Sequence, residues 1–195
     1  MASLMRITPG VTVSSTEPDR AELERVLADG LATGSIGAKM WGGYDPLTPE
    51  GTARVIETCN SLGAHVAFHV GTTETGSRLD GLREVPEMLG ANGRLHIAHV
   101  NAYCRGSILD PQEEVAEALQ IIESLGPRVV SEVHMAIPNF TKGECAPDGS
   151  VVNDVPSNCL RLRDYEANID GMRAAIRDGY GSVVMLDGDR LELVS

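Results

Sequence analysis

The sequence predicts an α/β protein whose sheet is parallel and built from successive β-α units. Three observations predict it. Short apolar runs alternate with helical patterns of even length; those patterns start at Ser, Thr or Pro and stop at Gly; and three of the apolar runs end near an ionisable residue, Lys39, His69 and His99, spaced thirty residues apart.

Residues 1–19 read as an extended lead-in. Residues 20–136 form the β/α core. Its first helix lies in "STEPDRAELERVLADG", with Ser15 or Thr16 as cap, Pro18 near the first turn, Leu23, Val26 and Leu27 on one face, and a stop at Gly30. "GSIGAKMW" is a buried strand, "GGYDPL" a loop, and "TPEGTARVIETCNSLG" a capped helix ending at Gly63. "AHVAFHV" is the next strand, "GTTETGSRLDG" a polar loop, "LREVPEMLG" a short helix and "RLHIAHV" a further strand. "NAYCRGSILD" is a loop, "PQEEVAEALQIIESLG" the clearest helix, and "RVVSEVHMA" a strand. Residues 137–163 carry prolines, glycines and asparagines without period and are expected as a long irregular excursion. Residues 164–195 supply a helix, "NIDGMRAAIRDG", and a hairpin about Asp187 and Gly188. The whole is expected to be one domain.

Composition narrows the function classes. A formal net charge of -12, with sixteen dispersed basic residues, argues against nucleic acid or an anionic membrane surface as partner. Cys59, Cys104, Cys145 and Cys159 form no CxxC pair, so neither a disulfide framework nor a zinc-finger spacing is present, and a reducing cytoplasm is the expected compartment. The first residues lack the long apolar core of a signal peptide, and no run approaches the roughly 20 apolar residues of a membrane helix.

Strand geometry sorts the histidines. His65 and His69 share a face but stand about 13 Å apart along a strand, too far for one metal ion. His96 and His99, three apart, are expected on opposite faces, with only His99 at the carboxyl end. Lys39, one of two lysines beside fourteen arginines, is also near the end of its strand. In a parallel sheet the three ends converge, and ligand and catalytic sites gather there. Two histidines from adjacent strands can hold one divalent ion. A lysine beside them has two uses: a Schiff base with a carbonyl substrate, or reaction of its neutral amine with carbon dioxide to give a two-oxygen carbamate ligand. His134 and Glu132 share a face and either reach the site or line the sheet.

At these residues the chain resembles the metal-dependent amidohydrolase superfamily, which includes dihydroorotases, hydantoinases and N-acyl-D-amino-acid deacylases, over about residues 20 to 135. "GSIGAKMWGG" resembles the strand of the carboxylated lysine, "GAHVAFHVGT" that of one metal-ligand histidine and "LHIAHVNA" that of a second. The resemblance implies a carboxylated Lys39, with His69 and His99 as ligands of one or two divalent ions, zinc being the expected metal. It implies hydrolysis of a C–N bond in a small-molecule amide or cyclic amide by a metal-activated water. Asn101, Tyr103 and Arg105, following His99, are the expected substrate contacts, with Arg105 suited to a carboxylate. Gly71 stands where the deacylase branch commonly has an arginine.

The superfamily's H-x-H strand is missing, and its strand-eight aspartate has no clear counterpart, Asp187 lying in an expected turn. A complete (β/α)8 TIM barrel needs about 250 residues. The implied fold is therefore an incomplete TIM barrel of about four parallel strands. Such a chain is expected to be inactive alone and to need the rest of the barrel or another chain. Two other readings stand beside it: a barrel in which Lys39 is the Schiff-base nucleophile of an aldolase or lyase, and a non-catalytic fragment that binds a partner.

Overall fold

The structure, a computed structural model, describes residues 3–133, 143–180, 184–186 and 189–191. The chain divides into two compact units, residues 1–133 and 134–195.

The first unit is a five-stranded parallel sheet in the order β1 (Ser3–Ile7), β2 (Ser35–Trp41), β3 (His65–His69), β4 (Leu95–Ile97) and β5 (Val129–Ser131). Each connection carries a helix: α1 (Arg20–Ala32), α2 (Pro49–Ser61), α3 (Leu79–Leu89) and α4 (Pro111–Leu125). Sequential strand order with crossovers of one hand puts every helix on the same face. That face is the core. Ile7, Ala38, Met40, Val66, Phe68, Leu95, Ile97 and Val129 from the strands meet Leu23, Leu27, Val55, Ile56, Leu82, Val85 and Ala118 from the helices, all buried. Each large aliphatic side chain so buried contributes about 1.5–3 kcal/mol. The other face carries Val130 exposed and holds the ionisable residues considered below.

The helix ends follow local chemistry. Thr48 caps α2 by accepting from the N–H of Gly51 with Pro49 in the first turn, and Asp110 caps α4 by accepting from Gln112 with Pro111 behind it. α1 differs from expectation at both ends. Its cap is Asp19, which accepts from Glu22, rather than Ser15 or Thr16, and it runs past Gly30 to Ala32. Gly30 lies within the helix, at a point packed so closely on β1 that a Cβ would meet Met5 at 2.9 Å. α3 starts earlier than expected, at Leu79, and accommodates Pro86.

Two further expectations change. The lead-in 1–19 contains β1, so the parallel sheet has five strands rather than about four. The described part of the excursion, from residue 143, contains a short strand β6 (Glu144–Cys145) and a helix α5 (Asp154–Arg161). In the second unit α6 (Ile169–Arg177), capped by Asn168, falls where expected. β7 (Val184–Leu186) pairs antiparallel with β8 (Asp189–Leu191) as the expected hairpin, and β6 adds to it in parallel. Its turn residues, Asp187 and Gly188, lie outside the described residues, as does His134. Among the described residues no helix is long and apolar enough to cross a membrane.

Candidate functional site

Register places the site. Lys39 pairs with Ala67, Ala67 with His96, and Trp41 with His69. Laterally paired residues of a parallel ladder point the same way, and so do residues two apart on one strand. Lys39, Trp41, His65, His69 and His96 therefore share the face turned away from the helices. Lys39 and His69 are neighbours on adjacent strands offset by one pleat, about 8 Å between Cα atoms from a strand spacing near 4.8 Å and a rise near 3.3 Å per residue.

His96 thus lies on the same face as Lys39, contrary to the expected alternation with His99. The reason is that β4 stops at Ile97. His99 takes a left-handed backbone, φ 47° and ψ 58°, at the start of a single 3-10 turn over Val100–Ala102. For a residue with a Cβ that conformation costs on the order of 1 kcal/mol. It brings the His99 ring to His69, with centroids 5.2 Å apart in an edge-on arrangement.

Each ring is held by a dedicated partner. Glu132, directly after β5, bonds His99 twice through one oxygen: Oε1 lies 2.9 Å from Nδ1 and accepts the His99 backbone N–H at 2.9 Å. Its own carbonyl accepts from Val100 at 2.9 Å, so the carboxylate and the strained turn are one assembly. A carboxylate at Nδ1 fixes the proton there and directs Nε2 as the basic nitrogen. His69 is buried, and its Nε2 lies 2.9 Å from Oγ of buried Ser77. Ser77 is set by a knotted loop in which Thr72, also buried, and Thr75 both donate to Glu84, at 3.0 and 2.9 Å. Neither Ser77 nor this loop carried a sequence signal. Glu132 was left between two roles by its sequence context and is the residue that orients His99.

Lys39 is half-buried, and its amine makes no hydrogen bond or ion pair among the described residues. Burial pushes its pKa down from the usual lysine range to about 8, against a smaller upward pull from Glu132. His96 is lowered as well, by burial first and then by the charges of His65 and Lys39. Arg6 closes one side of the face, stacked 3.9 Å above the Trp41 ring and bonded to Asp45 at 2.6 Å.

The three expected substrate contacts fare differently. Asn101 is exposed on the turn after His99. Tyr103 is 1% exposed, and its hydroxyl is used internally: it donates to the Ala98 carbonyl and accepts from the Val70 N–H at 2.9 Å. It is a brace between the ends of β3 and β4, packed 5.5 Å edge-on to the His69 ring, and not a ligand contact. Tyr103→Phe should leave two buried backbone groups unpaired and destabilise the fold by about 2 kcal/mol, read as a lower urea midpoint at unchanged slope. Arg105 is half-buried, and its Nη1 is enclosed with no hydrogen-bond partner among the described residues. Its loop is shaped by Glu114, a fully buried carboxylate on the first turn of α4 that accepts from Gly106, Ile108 and Leu109 at 2.7, 2.8 and 3.1 Å.

Gly71 explains its departure from the deacylase pattern. It has φ +140°, and a Cβ there would stand 2.7 Å from the Gly42 carbonyl oxygen, while one at Gly42 would stand 2.1 Å from that of Gly71. The loops after β2 and β3 touch backbone to backbone, so no arginine fits.

His69 and His99 are thus brought together at the carboxyl end of this face, with Lys39 on the same face one pleat back. Among the described residues they gain no further His, Cys, Asp or Glu to make a group of three or more such ligands. The chain matches no protein-family model and no curated protein sequence at a significant level.

Proposed function

We propose that the chain carries part of the metal site of a hydrolase acting on C–N bonds of small amides or cyclic amides, on a sheet of partial (β/α)8-barrel type. The observation that carries this reading is the pair of imidazoles 5.2 Å apart at the carboxyl ends of β3 and β4, each held by its own polar partner, above a lysine with no ion pair. Strands in sequential order with all four helices on one face support the barrel type.

The donor chemistry fits a divalent ion. His69 and His99 would hold it with Lys39 as its carbamate, and zinc is the expected metal. When bound, one or two such ions would lower the pKa of a water and polarise the amide carbonyl. Glu132 keeps the proton of His99 on Nδ1 and the ring in place. Ser77 holds the His69 ring in place through Nε2. Burial raises the fraction of neutral Lys39 amine that carbon dioxide needs: nitrogen attacks carbon, the N–C bond forms as one C=O π pair moves onto oxygen, and one proton leaves to water. Arg105 supplies an anchor for a substrate carboxylate, and Asn101 stands on the same loop. The remaining ligands are expected from outside the described residues or from another chain.

The test uses the scarcity of lysine, since Lys142 is the only other one. With 13C-bicarbonate, NMR of Lys142→Arg protein should show a lysine carbamate that Lys39→Ala abolishes. The neutral amine fraction at Lys39 should rise with pH through about 8 and level off above it, rather than through the usual lysine value near 10.5. A carbamate absent at pH 8 to 9 in the presence of zinc would contradict the reading.

The lowered lysine pKa equally suits a Schiff-base nucleophile of an aldolase or lyase. Borohydride with a carbonyl substrate separates the two: irreversible labelling of Lys39 supports the Schiff base, whereas a carbamylated lysine resists it.

A further inference from the structure

A second group lies toward the amino ends of β3, β4 and β5, on the same face as Lys39, with His96 level with that lysine. The segments leading into β3, β4 and β5 form an open groove of about 650 Å³, lined in part by Asn60, His65, Asn92, Arg94, His96 and Arg128. Among the described residues no Asp or Glu lines it, in a chain where acidic residues outnumber basic ones 28 to 16.

Several arginines of this unit meet carboxylates, among them Arg6 with Asp45, Arg54 with Glu17 and Arg83 with Glu117. The two at the groove do not. The Arg94 guanidinium makes no hydrogen bond or ion pair among the described residues, while its backbone is fixed on both sides by Asn60, at 2.9 and 3.0 Å. Arg128 Nη1 donates to the carbonyls of Gly90 and Ala91 at 2.6 and 3.2 Å. Those bonds anchor the guanidinium and offset the negative end of α3. In the same groove the rings of His65 and His96 stand 5.5 Å apart. The carboxylate whose charge reaches His96 is Glu132, at the far end of β5.

A cation would meet two guanidiniums here and no carboxylate. An oxyanion would meet donors from three loops. The volume falls within the range of about 300–1,000 Å³ typical of small-molecule sites and exceeds what a bare phosphate fills. We infer that this groove binds a small organic phosphate monoester, its phosphate between Arg94 and Arg128 and against His65 and His96. The inference is independent of the reading given for His69 and His99.

The experiment titrates the full chain with glycerol phosphate, inorganic phosphate and glycerol while NMR follows the histidine ring protons. Glycerol phosphate should shift His65 and His96 saturably and leave His69 and His99 in place. Inorganic phosphate should bind more weakly, and glycerol should do nothing. Arg94→Ala, at an exposed side chain, should weaken the ester about tenfold or more, with Arg94→Lys between it and the parent. Circular dichroism checks both folds, and His65→Ala, also exposed, gives a second weakened variant. Absence of saturable shifts, equal affinity in Arg94→Ala, or equal affinity for ester and inorganic phosphate would overturn the inference.

Discussion

His99→Ala is expected to lower zinc affinity by more than about 100-fold, because loss of a partner outside the metal's own ligands already costs 10–100-fold. Two losses combine in this variant. One imidazole goes, and the turn that presented it loses its reason to stay left-handed, since Glu132 Oε1 would keep only the backbone N–H of residue 99. Glu132→Gln keeps the ring while removing the carboxylate that fixes its proton, so it should fall in the 10–100-fold range. Competition with a chromophoric chelator measures both. Affinity unchanged in His99→Ala would remove His99 from the ligand set.

Glu114→Ala is expected to be the most destabilising single change outside the hydrophobic core, at about 3 kcal/mol. Three backbone N–H groups, of Gly106, Ile108 and Leu109, converge on a carboxylate with no exposure at all. Truncation orphans three donors in the interior, and each unpaired buried group costs about 1–3 kcal/mol, partly relieved as water enters. Glu114→Gln retains one oxygen and should lose roughly half as much. Urea unfolding at unchanged slope reads the difference. Because these bonds shape the loop that carries Arg105, the same variants would also displace the candidate substrate anchor.

What was legible in the sequence was what local chemistry encodes. α2 and α4 lie where Thr48 and Pro49, Asp110 and Pro111, and the closing glycines put them. Strands β2 and β3 read clearly because their apolar residues pack under helices. β1 did not, since only Ile7 of "SLMRI" is fully buried and no alternation marks it. α5 hid because Pro156, Ser157, Asn158 and Cys159, which read as loop residues, are buried on a short helix.

The candidate site divides in the same way. Strand spacing pointed to Lys39, His69 and His99, whereas the route by which His99 arrives depends on a left-handed residue that nothing local announces. Tyr103 looked like a loop contact because a hydroxyl in a polar segment gives no hint that two backbone groups, thirty-three residues and five residues away in sequence, will claim it. Ser77 and Glu132 act through tertiary contacts, eight and thirty-three residues from the rings they hold. Sequence periodicity could not pair them.

In the proposed reading, Lys39, His69 and His99 bind one metal group together on one face of the sheet. A zinc titration followed by NMR of the histidine rings reads this. Saturable binding should shift or broaden His69 and His99 together, leave His65 and His96 unmoved, and weaken when Lys39 is replaced by alanine. Zinc that perturbs His65 and His96 instead, or that leaves all four rings unchanged, would contradict it.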